Sequence, residues 1–353
     1  VALEGFKSLA SDTDKDFGLL VVNPELRQLL SNVPRVYDAA ALKHQRGAAF
    51  RTERFPQFKQ DDVQERAVSG ILRRGVRVIV CIGGNGTMKG AKALAKRLKD
   101  KDVKIFFIPV TIDSDIMNTE TIGQHTGVER GSEKLKSYCA GTFIISFSFT
   151  YTHLHKMYTD AYTHQRCYIK EMMGADGGFH ALHSCVGAGA HYAALREPLD
   201  KKELERIAVA VSKRRSTVIA VAEGYARALR RGLMKADLKG VSYVGTTSGR
   251  PGQKDLMSAA TFLHYQLKST GKLDPKKKVV CESFARDLRG AAANNCDIFL
   301  SQQMASKVVE MTFKGMTNRM PAVNSGVVSS LGFDELKTWN GVSEATAALA
   351  DRL

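Results

Sequence analysis

Two near-continuous apolar runs, Val76–Ile82 and Val103–Val110, each end in a polar loop, and a helix-periodic segment lies between them. Short runs of this kind are the pattern of strands buried on both faces, which is how parallel sheets are built. Between them Met88, Ala91, Leu94, Ala95 and Leu98 recur at helical spacing. An earlier helix is predicted over Asp61–Arg74, with Val63, Ala67, Ile71 and Leu72 on one face and Gly75 as its stop. Parallel strands joined by helices predict a doubly wound α/β architecture. Such sheets place ligand-binding loops at the carboxyl ends of their strands. Here those loops are Gly83-Gly84-Asn85-Gly86-Thr87 and Thr111-Ile112-Asp113-Ser114-Asp115.

The same rhythm continues downstream. Strands are predicted over Arg166–Met173, Thr217–Ala222 and Lys278–Glu282, and helices over Ala181–Ala194, Leu204–Lys213, Leu256–Leu267 and Ile298–Lys314. A chain of 353 residues is long enough for two such cores and too long for one ordinary core. One segment departs from the pattern. Phe143, Ile145, Phe147, Phe149 and Tyr151 alternate with polar residues, the two-residue period of a half-buried strand. Its aromatic face is expected either inside the fold or as a docking strand, Phe143–Tyr151, for another chain.

The 52 Lys and Arg against 36 Asp and Glu leave a net charge of +16. Such a surplus suits an anionic partner: a phosphorylated metabolite, an acidic protein surface or nucleic acid. The basic clusters, among them Lys213-Arg214-Arg215 and Lys276-Lys277-Lys278, are scattered along the chain and not interleaved with aromatics as a single-strand nucleic-acid surface would be. The six cysteines form no C-x-x-C pair and read as reduced, buried thiols of an intracellular protein. No apolar run approaches the roughly 20 residues that span a bilayer. A basic chain that starts without Met suits a processed mitochondrial protein, with the cytoplasm as the alternative. His153, His155 and His164 do not have convincing metal-ligand spacing, and Met172 reads as core.

The two loops carry chemistry. Gly83, Gly84 and Gly86 let backbone N–H groups approach phosphate oxygens at a helix start, although a tight strand-to-helix turn also selects glycine. Asp113 and Asp115, two residues apart after a parallel strand, suit a base toward a hydroxyl and a partner for magnesium, or else a solvated turn.

In order and interval these motifs resemble the phosphofructokinase family, whose GGDG[ST] and TIDND loops read GGNGT and TIDSD here. Arg54-Phe55-Pro56-Gln57-Phe58 resembles the family's RFPEF-like stretch, His164-Gln165-Arg166 its HxR element and Met173-Gly174 its MGR turn. Glu223-Gly224 resembles its sugar-binding glutamate, and Arg289-Gly290 with the downstream Asp297 its RG element. The resemblance runs from Glu4 to Asn324 and is similar to the longer branch, which includes pyrophosphate-type enzymes. It implies two Rossmann-like doubly wound α/β domains, residues 1–130 with 297–335 on the nucleotide side and 131–296 with 336–353 on the sugar-phosphate side. It also implies roles. Asp113 would take the proton of the sugar hydroxyl, Asp115 would position magnesium, and Arg54 would bridge the two substrates. Thr111, Arg166, Met173, Gly174, Glu223 and Arg289 would hold fructose 6-phosphate, with Arg166 reaching across to the sugar phosphate of a neighbouring subunit. Gly84, Asn85, Gly86, Thr87 and Gly90 would meet the nucleotide phosphates.

Four features depart from the family pattern. Asn85 stands where the family has a magnesium-supporting Asp, and Ala175 replaces the Arg of the MGR turn. Val110 precedes Thr111 where pyrophosphate-type members place Lys. Glu4–Leu9 resembles the segment after the family's second strand, so the first strand and its nucleotide loop are absent from this sequence and another chain or segment is expected in that place. The leading expectation is therefore a degraded active site in a structural or regulatory subunit, needing no cofactor. The alternative is an active ATP-dependent 6-phosphofructokinase using ATP and Mg2+. Either would form a homo-oligomer or part of a larger assembly, and a nucleic-acid-associated subunit is a variant of the first.

Overall fold

The structure is a computed structural model that describes residues 56–73, 75–139, 164–231, 233, 246–247, 256–284 and 288–338. Glu4–Leu9, Arg54, the alternating segment Phe143–Tyr151, His153 and His155 lie outside the described residues.

After a 3-10 turn at Pro56–Lys59 come α1 (Asp61–Arg73), β1 (Val78–Gly83), α2 (Asn85–Arg97), β2 (Lys104–Pro109) and α3 (Gln124–Cys139). Then follow β3 (Cys167–Met172), α4 (Phe179–Ala188), β4 (Tyr192–Ala194), α5 (Lys201–Lys213), β5 (Thr217–Ala222) and a helical turn, α6 (Arg227–Arg230). The last described elements are β6 (Thr246–Thr247), β7 (Leu256–Met257), α7 (Ala259–Ser269), β8 (Val279–Ser283), α8 (Asn295–Phe313), β9 (Arg319–Asn324) and β10 (Val327–Gly332). The chain divides into two compact units, Val1–His125 with Gly290–Trp339 and Thr126–Arg289 with Asn340–Leu353.

In the first unit the sheet order is β1-β2-β9-β10. β1 and β2 run parallel with Gly83 opposite Pro109, so both ligand loops leave the sheet at the same level. Alternation along β2 covers both faces. Ile105 and Phe107 pack with Ala67 and Ile71 of α1 and Met88, Ala91 and Leu94 of α2. Phe106 and Ile108 pack with Leu300, Met304, Val308 and Met311 of α8. Each fully buried Phe or Ile contributes about 2–3 kcal/mol by area. Helices on both faces of a largely parallel sheet are the doubly wound arrangement. Gly75 and Gly315 end α1 and α8 at φ 64° and 70°, the left-handed region that glycine enters without a Cβ penalty.

The second unit has an all-parallel sheet of order β4-β5-β3-β8. Cys167 and Ile169 of β3 face α5 and α7 through Ile207, Ala208, Val211 and Leu263. The intervening residues face α3 and α4: the Tyr168 and Tyr138 rings lie 4.8 Å apart. On this face a Cβ added at Gly131 would stand 2.2 Å from Ser184 Oγ and 2.8 Å from Met172 Cε. That contact requires glycine where α3 crosses α4. Lys170 is fully buried between these layers. Its ammonium pairs with Glu282 and sits 3.6 Å from the centre of the Tyr138 ring. Glu171, on the opposite face, accepts from Ser258 Oγ at 2.7 Å and Ala259 N at 2.6 Å. Its carboxylate therefore caps the start of α7, where the helix dipole favours negative charge.

Several predicted elements are corrected. The helix predicted to run to Ala194 ends at Ala188 with Gly189 as its left-handed cap, and Tyr192–Ala194 is an edge strand beside β5. The Ala-rich stretch has no periodicity that separates a helix from a short buried strand, so tertiary pairing decides. The helix predicted from Leu256 begins at Ala259, because Leu256–Met257 pairs with Thr246–Thr247. Cys296 is exposed and Cys81 and Cys139 are partly buried, so the thiols are not uniformly core. The basic clusters are not all separate in space. Lys213, Arg214 and Arg215 share one cleft with Lys276, Lys277 and Lys278 at the amino ends of β5 and β8. There Lys277 Nζ donates to Arg214 O at 2.6 Å, neutralising the carboxyl end of α5. Among the described residues, no helix is long and apolar enough to cross a membrane.

Candidate active site

The glycine loop is shorter than the sequence suggests. Gly84 is the N-cap of α2, so Asn85, Gly86 and Thr87 form its first turn. Gly84 has no side chain to cap them, which leaves this helix end suited to an anionic ligand. A Cβ at Gly83 would lie 2.3 Å from Thr87 Oγ1, and one at Gly84 would lie 3.3 Å from Thr111 Cβ. A side chain at Gly83 would crowd Thr87 within its own loop, and one at Gly84 would press on Thr111 of the second loop. A Cβ at Gly86 would meet nothing within 4 Å, so this glycine faces open space. Gly90 packs one helical turn on, where a Cβ would meet the Phe58 ring at 3.7 Å.

The second loop is held from several sides. Val110 N donates to Gly83 O at 2.9 Å, and Asp113 N donates to Thr111 Oγ1 at 3.0 Å. Ser114 adopts φ 51°, a left-handed conformation costly for a residue with a Cβ. Its hydroxyl donates to Gln124 Oε1 at 3.0 Å, and the same oxygen accepts from Thr121 N at 3.1 Å and Thr121 Oγ1 at 3.2 Å. Asp115 is buried, and Asn85 Nδ2 donates to its Oδ2 at 3.3 Å. Asn85 Oδ1 and Asp115 Oδ1 are buried with no hydrogen-bond partner. Asp297, itself buried, accepts from Gly123 N at 2.9 Å and anchors the far end of this loop to the start of α8.

In the second unit, Met172 pairs with Ala222 across β3 and β5. Met173-Gly174 and Glu223-Gly224 therefore leave adjacent strands side by side. A Cβ at Gly224 would lie 2.7 Å from Ala175 O and 2.8 Å from Asp176 Cα, so the two turns touch through backbone. Arg227 Nε lies 2.6 Å from Asp176 Oδ1. Arg230 is buried, with Nε donating to Tyr225 O at 2.8 Å and its two terminal nitrogens donating to Met257 O and Glu223 O. Burial lowers the pKa of its guanidinium from the ordinary arginine range, and the charges of Glu171, Glu223 and Asp176 oppose that shift.

These loops carry the motif order of one family along most of the chain. The phosphofructokinase family model matches residues 3–141 and 145–312. The chain belongs to the phosphofructokinase family. It is 26% identical over 294 residues to ATP-dependent 6-phosphofructokinase 1 of Clostridium perfringens, covering 82% of this chain and 73% of that protein. It is 33% identical over 185 residues to the ATP-dependent 6-phosphofructokinase of Staphylococcus epidermidis, covering 51% of each. The chain thus spans about half the length of several curated relatives it matches. The fold is similar to that of a pyrophosphate-dependent phosphofructokinase from Nitrosospira multiformis. That match has a TM-score of 0.65 at 14% identity, over 97% of this chain and 82% of that one. It is also similar to Pichia pastoris phosphofructokinase in the T-state, with a TM-score of 0.64 at 18% identity over 88% of this chain and 31% of that one.

Within the first unit the phosphofructokinase loops bring Gly84, Asn85, Gly86, Thr87, Thr111, Asp113 and Asp115 to one end of the β1-β2 pair. Within the second, Met173, Gly174 and Glu223 share the carboxyl end of β3 and β5. Arg166 precedes β3, a strand length of about 20 Å from that end, where its expected role toward a neighbouring subunit would not require it to meet these residues. Arg289 is exposed, beyond the end of β8. Three residues with positioning roles escaped the sequence reading. Gln124 organises the acidic loop, and Arg227 and Arg230 flank Glu223. Nothing in local periodicity marks them, although a Gln directly after Gly123 is a polar residue at a helix start.

The family implies a magnesium ion, and one feature of the two loops fits it. The orphaned oxygens of Asn85 and Asp115 are buried acceptors on adjacent loops. Magnesium is commonly held by one or two carboxylates together with waters and substrate phosphates.

Proposed function

We propose that this chain is a phosphofructokinase that transfers a phosphoryl group from ATP to fructose 6-phosphate. The observation that carries this reading is the pair of buried, unpartnered oxygens on Asn85 and Asp115. Leaving such acceptors unsatisfied costs about 1–3 kcal/mol each. A magnesium ion carrying waters would satisfy both. The amide of Asn85 lacks the family's charge but still presents an oxygen. Asp115 would hold the cation, which when bound neutralises charge on the phosphates being transferred.

The chain's own residues would do the rest. The first turn of α2 would receive nucleotide phosphates on its backbone N–H groups. Asp113, whose backbone N–H donates to the Thr111 hydroxyl, would take the proton from the attacking sugar hydroxyl. Glu223 would hold the sugar, and Met173-Gly174 would shape its wall. ATP is favoured as donor by Val110, where pyrophosphate-type members place Lys, and by the names of the bacterial relatives.

A second reading, a structural or regulatory subunit with a weakened site, is favoured by Ala175 and by the charge lost at Asn85. Phosphorus NMR of the full-length protein with ATP, Mg2+ and fructose 6-phosphate separates the two. A new sugar phosphomonoester signal is expected with ATP and none with pyrophosphate. Folded protein giving no product with ATP would favour the second reading.

A further inference from the structure

The turn after β3 carries no cation at Ala175, yet an arginine stands against it from the neighbouring turn. Arg227, on the helical turn that follows Glu223, has its Nε 2.6 Å from Asp176 Oδ1. Both side chains are only 20% exposed. The approach is enforced by backbone: Gly224 leaves no room for a Cβ between Ala175 O and Asp176 Cα. Beneath it Arg230 grips the carbonyls of Glu223, Tyr225 and Met257, so the turn that bears Arg227 is rigidly seated. Arg227 and Glu223 therefore reach the carboxyl end of the sheet together, the end where doubly wound folds bind ligands.

We propose that Arg227 is the phosphate-reading residue of this side, a guanidinium supplied by the turn after β5 in place of one on the turn after β3. Asp176 stands beside Nε as an ion pair by distance, without a well-directed hydrogen bond, and the planar fork is the shape suited to two phosphate oxygens. This assignment rests on the proposed function and sharpens it, because it names the residue that distinguishes fructose 6-phosphate from the uncharged sugar.

The test is calorimetric binding of fructose 6-phosphate to the full chain and its variants, with thermal unfolding of each as a check on folding. Arg227→Ala is expected to weaken binding about tenfold to a hundredfold, the scale of a charge-assisted contact. Arg227→Lys is expected to retain part of the affinity. Asp176→Asn, which breaks the ion pair but leaves the guanidinium, is expected to bind as tightly as the wild type or more tightly. Adding Ala175→Arg to Arg227→Ala is expected to restore affinity. If Arg227→Ala binds normally, or if Asp176→Asn loses as much as Arg227→Ala, the pair is only a structural tie and the proposal is overturned while the proposed function stands. If the folded wild type does not bind fructose 6-phosphate, the functional reading fails, and this assignment with it.

Discussion

Asn85 Nδ2 donates to Asp115 Oδ2 at 3.3 Å, so the residue that departs from the family pattern is bonded to the carboxylate it would otherwise repel. The amide trades a charge for a hydrogen bond and leaves one buried oxygen on each partner. The hydrogen bond offsets part of the cost of those two unpartnered oxygens.

Asn85→Asp tests that trade. Without metal, a second carboxylate beside Asp115 loses the bond and adds repulsion, so stability should fall by about 1–2 kcal/mol. With Mg2+ the added charge should lower the half-saturating concentration about tenfold, a gain of about 1.4 kcal/mol. Thermal unfolding with and without Mg2+ checks both, and the variant should show the larger metal-induced rise.

Gln124 is expected to matter out of proportion to its distance in sequence from the acidic pair. Its Oε1 accepts from Ser114 Oγ, Thr121 N and Thr121 Oγ1, and holds Ser114 at φ 51°. Gln124→Leu leaves the buried Thr121 N–H without that acceptor and should cost about 2 kcal/mol. Turnover should fall with it, since Asp113 and Asp115 flank Ser114. Gln124→Glu keeps the acceptor and should lose much less in both measurements.

Lys170 should separate packing from charge. It is fully buried against Tyr138 and pairs with Glu282, which is 45% exposed. Lys170→Met fills the same volume and leaves a carboxylate that water can reach, so urea unfolding should show little change. Lys170→Ala opens a cavity among the rings and should cost about 3 kcal/mol.

His264 sets a limit on acid stability. Burial, helped by the charge of Lys268, lowers its pKa from 6.5 to about 4. The unfolded chain then takes up the proton first as pH falls. The stabilisation from the neutral ring is complete above pH 6.5 and is lost progressively toward pH 4, to a total of about 3 kcal/mol. His264→Leu should flatten this part of the stability curve, as followed by urea unfolding between pH 4 and 7.

The apolar runs and glycine stops already carried the alternation of strands and helices. Met88, Ala91, Leu94 and Ala95 fell on the buried face of α2 as their spacing requires. The two acidic-loop residues were legible because they sit directly after a strand. The hairpin of β9 and β10 was missed, because Val327–Gly332 is a half-exposed strand with mixed polar residues and no strict alternation. α3 was missed because Gly127, Gly131 and Ser132 meet α4 closely and leave it few large apolar residues. Arg227 and Arg230 could not be read from the sequence. Their meaning comes from carbonyls and a carboxylate that only the fold brings to them.

The most direct test of the proposed function is steady-state turnover of full-length protein with ATP and fructose 6-phosphate across a Mg2+ titration, beside Asp113→Asn. Saturable, Mg2+-dependent turnover that falls by several powers of ten in Asp113→Asn is the expected result. Absence of turnover in folded wild-type protein at saturating Mg2+, or equal turnover in wild type and Asp113→Asn, would contradict it.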